Sequence, residues 1–212
     1  MRAAFAELAR LGCGIQLTPG NLPTAGFREH VAISGVPTRT HHGFSYEARK
    51  TATWSEGTCV VASDSLHPPK LTDHANGNWR AWVESTPAPP ILEVMYPGYA
   101  LGTGDEVERA MADGIALAVD VSHVYLQIMQ GAMTEQVWRR LRDYQRIAEV
   151  HVSANRGRAD THQPLAADTF GLDWARERVA NDDVVILESY MHRTSDVQRE
   201  AQVSLLRGAP GE

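Results

Sequence analysis

Ile147-Ala148-Glu149-Val150-His151-Val152-Ser153, with Asp160-Thr161-His162 in the loop after it, is the stretch that decides how this chain is read. Its apolar, β-branched run predicts a strand over 147–153. A strand that is apolar almost throughout belongs to a parallel sheet covered by helices on both faces. His151 interrupts the run, as either a hydrogen-bonded core histidine or a metal ligand. Asp160 and His162 are two apart, which in an extended segment puts both side chains on one side.

The same design recurs on either side. Glu93 lies in Ile91-Leu92-Glu93-Val94-Met95, Asp120 and His123 in Ala118-Val119-Asp120-Val121-Ser122-His123, and Glu188 ends Val184-Val185-Ile186-Leu187-Glu188. Each ligand-type group sits at or just past the C-terminal end of an apolar run. An unpaired buried charge costs several kcal/mol, so Glu93 and Glu188 each need a partner, either a cation or a core arginine. A set mixing carboxylate oxygen with imidazole nitrogen suits zinc, manganese or iron.

Strands are expected over 13–17, 36–42, 58–63, 91–96, 115–120, 147–153 and 184–188. Helices are expected over 2–11, 103–111, 134–144, 172–179 and 195–206, two of them opened by the capping-box patterns Thr103…Glu106 and Ser195…Gln198. Residues 68–90, rich in proline, read as irregular. Strand and helix alternate, which predicts an α/β fold in a single metal-binding domain over 1–212: a (β/α) TIM-type barrel. The chain opens on a helix, so the barrel's first strand is expected to be lost or altered. A barrel is preferred to an open doubly wound sheet because it brings ligands from several strand ends to one mouth. Strand edges left by an incomplete barrel make a homodimer the expected assembly.

Composition narrows the function classes. The 212 residues, 43% hydrophobic, suffice for a buried core, and 20 Lys and Arg against 26 Asp and Glu leave a net charge of -6. That balance argues against a nucleic-acid partner, which needs a basic face. The two cysteines, Cys13 and Cys59, make no disulfide framework. No apolar run is long enough to span a membrane, and no signal-peptide pattern opens the chain, so a cytoplasmic location is expected. There is no Gly-x-Gly-x-x-Gly and no P-loop.

The candidate metal ligands are therefore Glu93, Asp120, His123, His151, Asp160, His162 and Glu188. His67 and one of the pair His41 and His42, also at strand ends, are candidates for a second or third metal position. Of the nine histidines, His30, His74 and His192 are taken as incidental.

In its order and context, the set Glu93, Asp120 with His123, His151, Asp160-Thr161-His162 and Glu188 resembles the xylose isomerase-like TIM-barrel superfamily over roughly residues 12–207. The resemblance implies a barrel holding one to three divalent ions (zinc, manganese or iron) and a small-molecule substrate. In the sugar isomerase and epimerase branch, Glu93, Asp120, His151 and Glu188 would hold one metal, with Glu93 and Glu188 the catalytic acid and base. His123 and Arg156 would then bind substrate. That branch usually lacks the Asp160/His162 pair. The endonuclease IV branch, a metal-dependent phosphoesterase, has that pair and would use His41 (or His42) and His67 as further ligands. The third branch holds multinuclear non-haem iron enzymes that oxidise peptides in natural-product pathways. The segments around 113–125 and 149–162 are similar to it, although His123 stands where many members have Asn.

The leading expectation is an isomerase or epimerase of a small hydroxy-keto or sugar-like compound. The metal would polarise a carbonyl while the two glutamates move the proton. A peptide-oxidising iron enzyme and a phosphoesterase are its alternatives.

Overall fold

A computed structural model describes residues 2–20, 22–72, 77–191 and 194–208. These divide into two compact units, Met1–Leu66 with His74–Pro90 and His67–Asp73 with Ile91–Glu212. His74 and His192 lie outside the described residues.

In the first unit the helical rhythm at the N-terminus gives α1 (Arg2–Arg10), which turns Phe5 inward. A short strand β1 (Ile15–Leu17) follows. Helix α2 (Phe27–Ser34) is bounded by Gly26 and Gly35, both at positive φ. Strand β2 (Thr38–Thr40) pairs in parallel with β1. Phe5, Leu17, Phe27, Val31 and Phe44 form the core, with His30 edge-on to the Phe5 ring at 5.5 Å. Strands β3 (Trp54–Ser55) and β4 (Thr58–Cys59) are an antiparallel pair. Their connection, Glu56-Gly57, has φ of 48° and 82°, the left-handed pair that a two-residue hairpin turn demands. Strand β5 (Ser65–Leu66) and helix α3 (Trp79–Ser85) complete the unit.

The second unit is more regular. Strands β6 (Ile91–Val94), β7 (Leu117–Asp120), β8 (Ile147–Val152) and β9 (Val185–Leu187) pair in parallel in sequence order. Helix α4 (Gly104–Ala112) is capped by the Thr103 side chain. Helix α5 (Val121–Met129) starts without a loop, because the Asp120 carboxylate accepts from Ser122 N and caps it. Thr134 caps α6 (Glu135–Arg142), α7 (Leu172–Ala180) follows Gly171, and α8 (Asp196–Arg207) has the full Ser195–Gln198 capping box. Leu92, Val94, Leu117, Val119, Val150 and Val152 are all at most 1% exposed, so the apolar runs of β6, β7 and β8 lie in a covered parallel sheet, while β9 is half-buried.

The expected TIM-type barrel does not form: the fold is α/β, with helices over a parallel sheet that does not close as eight strands. Closure needs a βα repeat along the whole chain. Here the run at 58–63 turns back as a hairpin through Glu56-Gly57, and β1 and β2 form a separate two-stranded ladder. Helices α2, α3 and α5 fall where no helix was expected. Among the described residues, no helix is long and apolar enough to cross a membrane.

Candidate metal centre

Strand register builds the site. Glu93 is level with Ala118, Ala118 with Glu149, and Asp120 with His151. Side chains alternate faces along each strand, so Glu93, Ala118, Asp120, Glu149 and His151 all project from one face. Ile186, level with His151, puts Glu188 two residues on and on that face too. The small Ala118 between Glu93 and Glu149 leaves space for the larger groups. Helix α5 then returns His123 over the end of β7, three residues beyond Asp120.

Seven of the expected ligands converge. His123 Nε2 lies 3.2 Å from Asp120 Oδ2 and 3.3 Å from Asp160 Oδ2, while its Nδ1 is 3.2 Å from Glu93 Oε1 and 3.1 Å from the Val94 carbonyl. His151 Nδ1 is 3.1 Å from Glu188 Oε1 and 3.8 Å from Glu93 Oε1. His162 Nε2 is 3.0 Å from Asp160 Oδ2, and its Nδ1 is 3.8 Å from Glu188 Oε2. His67 joins them as well, with Nε2 at 3.2 Å from Glu93 Oε2. His162 has φ 44°, so Asp160 and His162 meet through a left-handed turn rather than the extended segment expected. His41 belongs to the first unit, where it is buried with Nδ1 2.9 Å from Ser65 Oγ. His42 there takes φ 44° and donates its backbone N–H to Ser65 O. Arg156 is exposed on the loop after β8.

These separations fit cation binding. Donors bonded at about 2.0–2.2 Å to one first-row ion stand roughly 3 to 3.6 Å from each other. Within the second unit, two groups offer donor atoms all within 4.8 Å of one another, Glu93–Asp120–His123 and Glu93–His151–Glu188. Glu93 belongs to both. Asp160 Oδ1 and His162 Nδ1 are buried and have no hydrogen-bond partner among the described residues. Leaving such atoms unsatisfied is costly, and a cation would satisfy them.

The electrostatics say the same. Burial pushes the Asp120 carboxyl up to about 6, with Glu188 and Glu93 adding to the shift and His123 and His151 opposing it. Burial alone would lower His123 and His151, but the Asp120 charge beside one and the Glu188 and Glu93 charges beside the other hold both well above the ordinary imidazole value. Asp160, despite its burial, is held well below the usual carboxylate range by hydrogen bonds from His123 and His162. The bond to Asp160 raises His162 in turn. In the metal-free protein, protons on these histidines offset the crowded carboxylates, which is the role a divalent ion would take.

The sequence reading passed over Glu149. This carboxylate is 1% exposed, and its Oε2 is 3.0 Å from His151 Nε2, the ring nitrogen that faces away from Glu93 and Glu188. The signal was its two-residue spacing from His151 on one strand. Tyr96, whose ring packs 4.9 Å from that of His123, and Tyr190, 5.2 Å from His162, also flank the centre. No model of a known protein family matches the chain, and no curated protein matches it.

Proposed function

We propose that the protein is a metal-dependent enzyme whose second unit binds two or more divalent ions bridged by Glu93, with iron(II) the best fit. We propose further that it oxidises a small molecule or peptide with dioxygen. The observation that carries this reading is the sharing of Glu93 between two ligand groups. One ion needs no second set of ligands, whereas a carboxylate shared by two sets can serve two ions; Glu93 Oε1 faces both His123 and His151, and Oε2 faces His67. The Asp160–His162 pair extends the ligand supply past what one ion uses, and the His and carboxylate mixture is that of non-haem iron sites. Bound iron(II) would supply Lewis acidity and one-electron chemistry toward dioxygen. The chain's own part is positional. Val94 O faces His123 Nδ1 and leaves Nε2 toward Asp120 and Asp160, and Glu149 fixes the His151 ring. Glu188, 14% exposed against 1% for Glu93, is the carboxylate a substrate reaches.

A second reading, a metal-assisted isomerase or epimerase, has its own support. Glu93 and Glu188 both face His151 Nδ1, so two carboxylates converge where an acid and a base would flank a substrate carbon. Elemental analysis of anaerobically purified protein separates the readings. Two or three irons per chain, with dioxygen uptake in the presence of substrate, are expected. A single zinc or manganese per chain, with solvent deuterium entering a sugar substrate, would replace the oxidative reading by isomerisation. Two or three zincs with phosphoester hydrolysis would replace it by a phosphoesterase.

A further inference from the structure

The second unit also holds a cavity of about 490 Å³, within the roughly 300–1,000 Å³ usual for small-ligand sites. Its walls continue from the ligand-bearing segments. Ser122 stands between Asp120 and His123, Ser153 is two residues past His151, and Gln163 follows His162. Two lining residues of opposite charge, Arg156 and Asp168, are exposed and make no ion pair or hydrogen bond among the described residues. Tyr125 and Phe170 give the cavity a flat apolar wall, their rings stacked at 5.2 Å and 24°.

The loop that carries Arg156 is fastened on both sides. Asn155 Nδ2 donates to Ser122 O at 2.8 Å, and Asn155 Oδ1 accepts from Gly157 N at 2.7 Å. Gly157, at φ 71°, lets the loop lie against α5, where an added Cβ would stand 2.7 Å from Met129 Cγ. The guanidinium is thus offered from a held backbone, which lowers the ordering cost of binding.

We infer that this cavity takes an amino-acid-sized zwitterion with an aromatic or large apolar side chain. Arg156 receives the carboxylate, Asp168 the ammonium, and the Tyr125–Phe170 pair the side chain. A neutral sugar would leave both charges unanswered. Arginine suits the anionic end because its fork of donors matches a carboxylate, and stacked rings favour a third ring beside them. That the ligand is the enzyme's substrate rests on the metal-enzyme reading above.

The test titrates L-phenylalanine, 3-phenylpropionate (no ammonium) and phenethylamine (no carboxylate) into metal-loaded and EDTA-treated protein, read by calorimetry. Phenylalanine is expected to bind at least about tenfold tighter than either fragment, the loss expected for one charged hydrogen bond. Arg156→Ala should weaken phenylalanine and phenylpropionate to a similar degree and leave phenethylamine unchanged. Asp168→Ala should do the converse, and both positions are exposed enough to leave the melting temperature unmoved. Equal binding of all three probes, or of phenylalanine to wild type and both variants, overturns the inference. Metal content measured on the same samples keeps the two claims apart. Phenylalanine binding to protein that takes up no metal would sink the centre alone, and a loaded centre with no phenylalanine binding would sink the cavity alone.

Discussion

Glu149 Oε2 lies 3.0 Å from His151 Nε2, both side chains buried on one face of β8. A histidine gripped at one nitrogen by a carboxylate presents the other, here Nδ1, in a fixed orientation and with raised basicity. Outer partners of this kind are worth about 10–100-fold in metal affinity. Glu149→Gln keeps the shape and loses the charge. Metal affinity, read by competition with a chromogenic chelator, should fall within that range while the metal-to-protein ratio at saturation stays unchanged.

Glu93 serves both ligand groups, so its loss should differ in kind from the loss of any neighbour. Glu93→Ala is expected to lower the number of ions bound at saturation, whereas His162→Ala should remove at most one. Elemental analysis of the dialysed variants reads this directly. Equal stoichiometry in wild type and Glu93→Ala would rule out a bridging role.

The raised imidazoles set a pH dependence for the metal-free protein. A group whose pKa is higher in the folded than in the unfolded state stabilises fully below the unfolded value and loses that contribution as pH rises through the folded one. His123 and His151 are raised well above 6.5, and Asp120 is raised from 3.8 to about 6. EDTA-treated protein should therefore lose thermal stability as pH rises from about 6 toward the alkaline side. Asp160, held low, acts oppositely, and its contribution is lost only as pH falls below the ordinary carboxylate range. Thermal melts from about pH 2 to 9 check both signs.

Metal reverses the slope, because a cation binds the deprotonated ligands. Affinity should strengthen as pH rises through the raised imidazole values, and binding at neutral pH should release protons. Calorimetry in two buffers of different ionisation enthalpy counts them. Identical apparent enthalpies would mean that no proton leaves and that the histidines are not the ligands. At a free metal concentration 100 times the dissociation constant, the loaded protein should gain about 2.7 kcal/mol over the metal-free form.

Gly171, which precedes α7, has φ 72°, and a Cβ there would stand 2.9 Å from Val121 Cβ at the start of α5. Gly171→Ala combines a left-handed backbone with a close contact. It should cost about 1–3 kcal/mol in urea unfolding, with α5 displaced and metal affinity lowered alongside.

The local signals between residues 91 and 207 read well. Ile147–Val152 became a parallel strand because an apolar run of that length is buried inside a covered sheet, and Val184-Val185-Ile186-Leu187 pairs beside it as a half-buried strand. The Ser195 and Thr103 caps lie where the pattern puts them, since a cap is a contact across three residues. Helix α5 escaped because its cap, Asp120, was read only as the end of a strand. Residues 79–85 were hidden by the surrounding prolines.

By itself, the sequence determined most of the strands and helices from residue 91 onward and which side chains end each apolar run, because period and spacing are properties of near neighbours. The tertiary structure alone decided the rest. It left the sheet unclosed, since closure depends on how distant strands pair, and the short hairpin at Trp54–Cys59 pairs with itself instead. It also put Glu93 in two ligand groups and Glu149 behind His151, through a register of neighbouring strands that no single stretch of chain encodes.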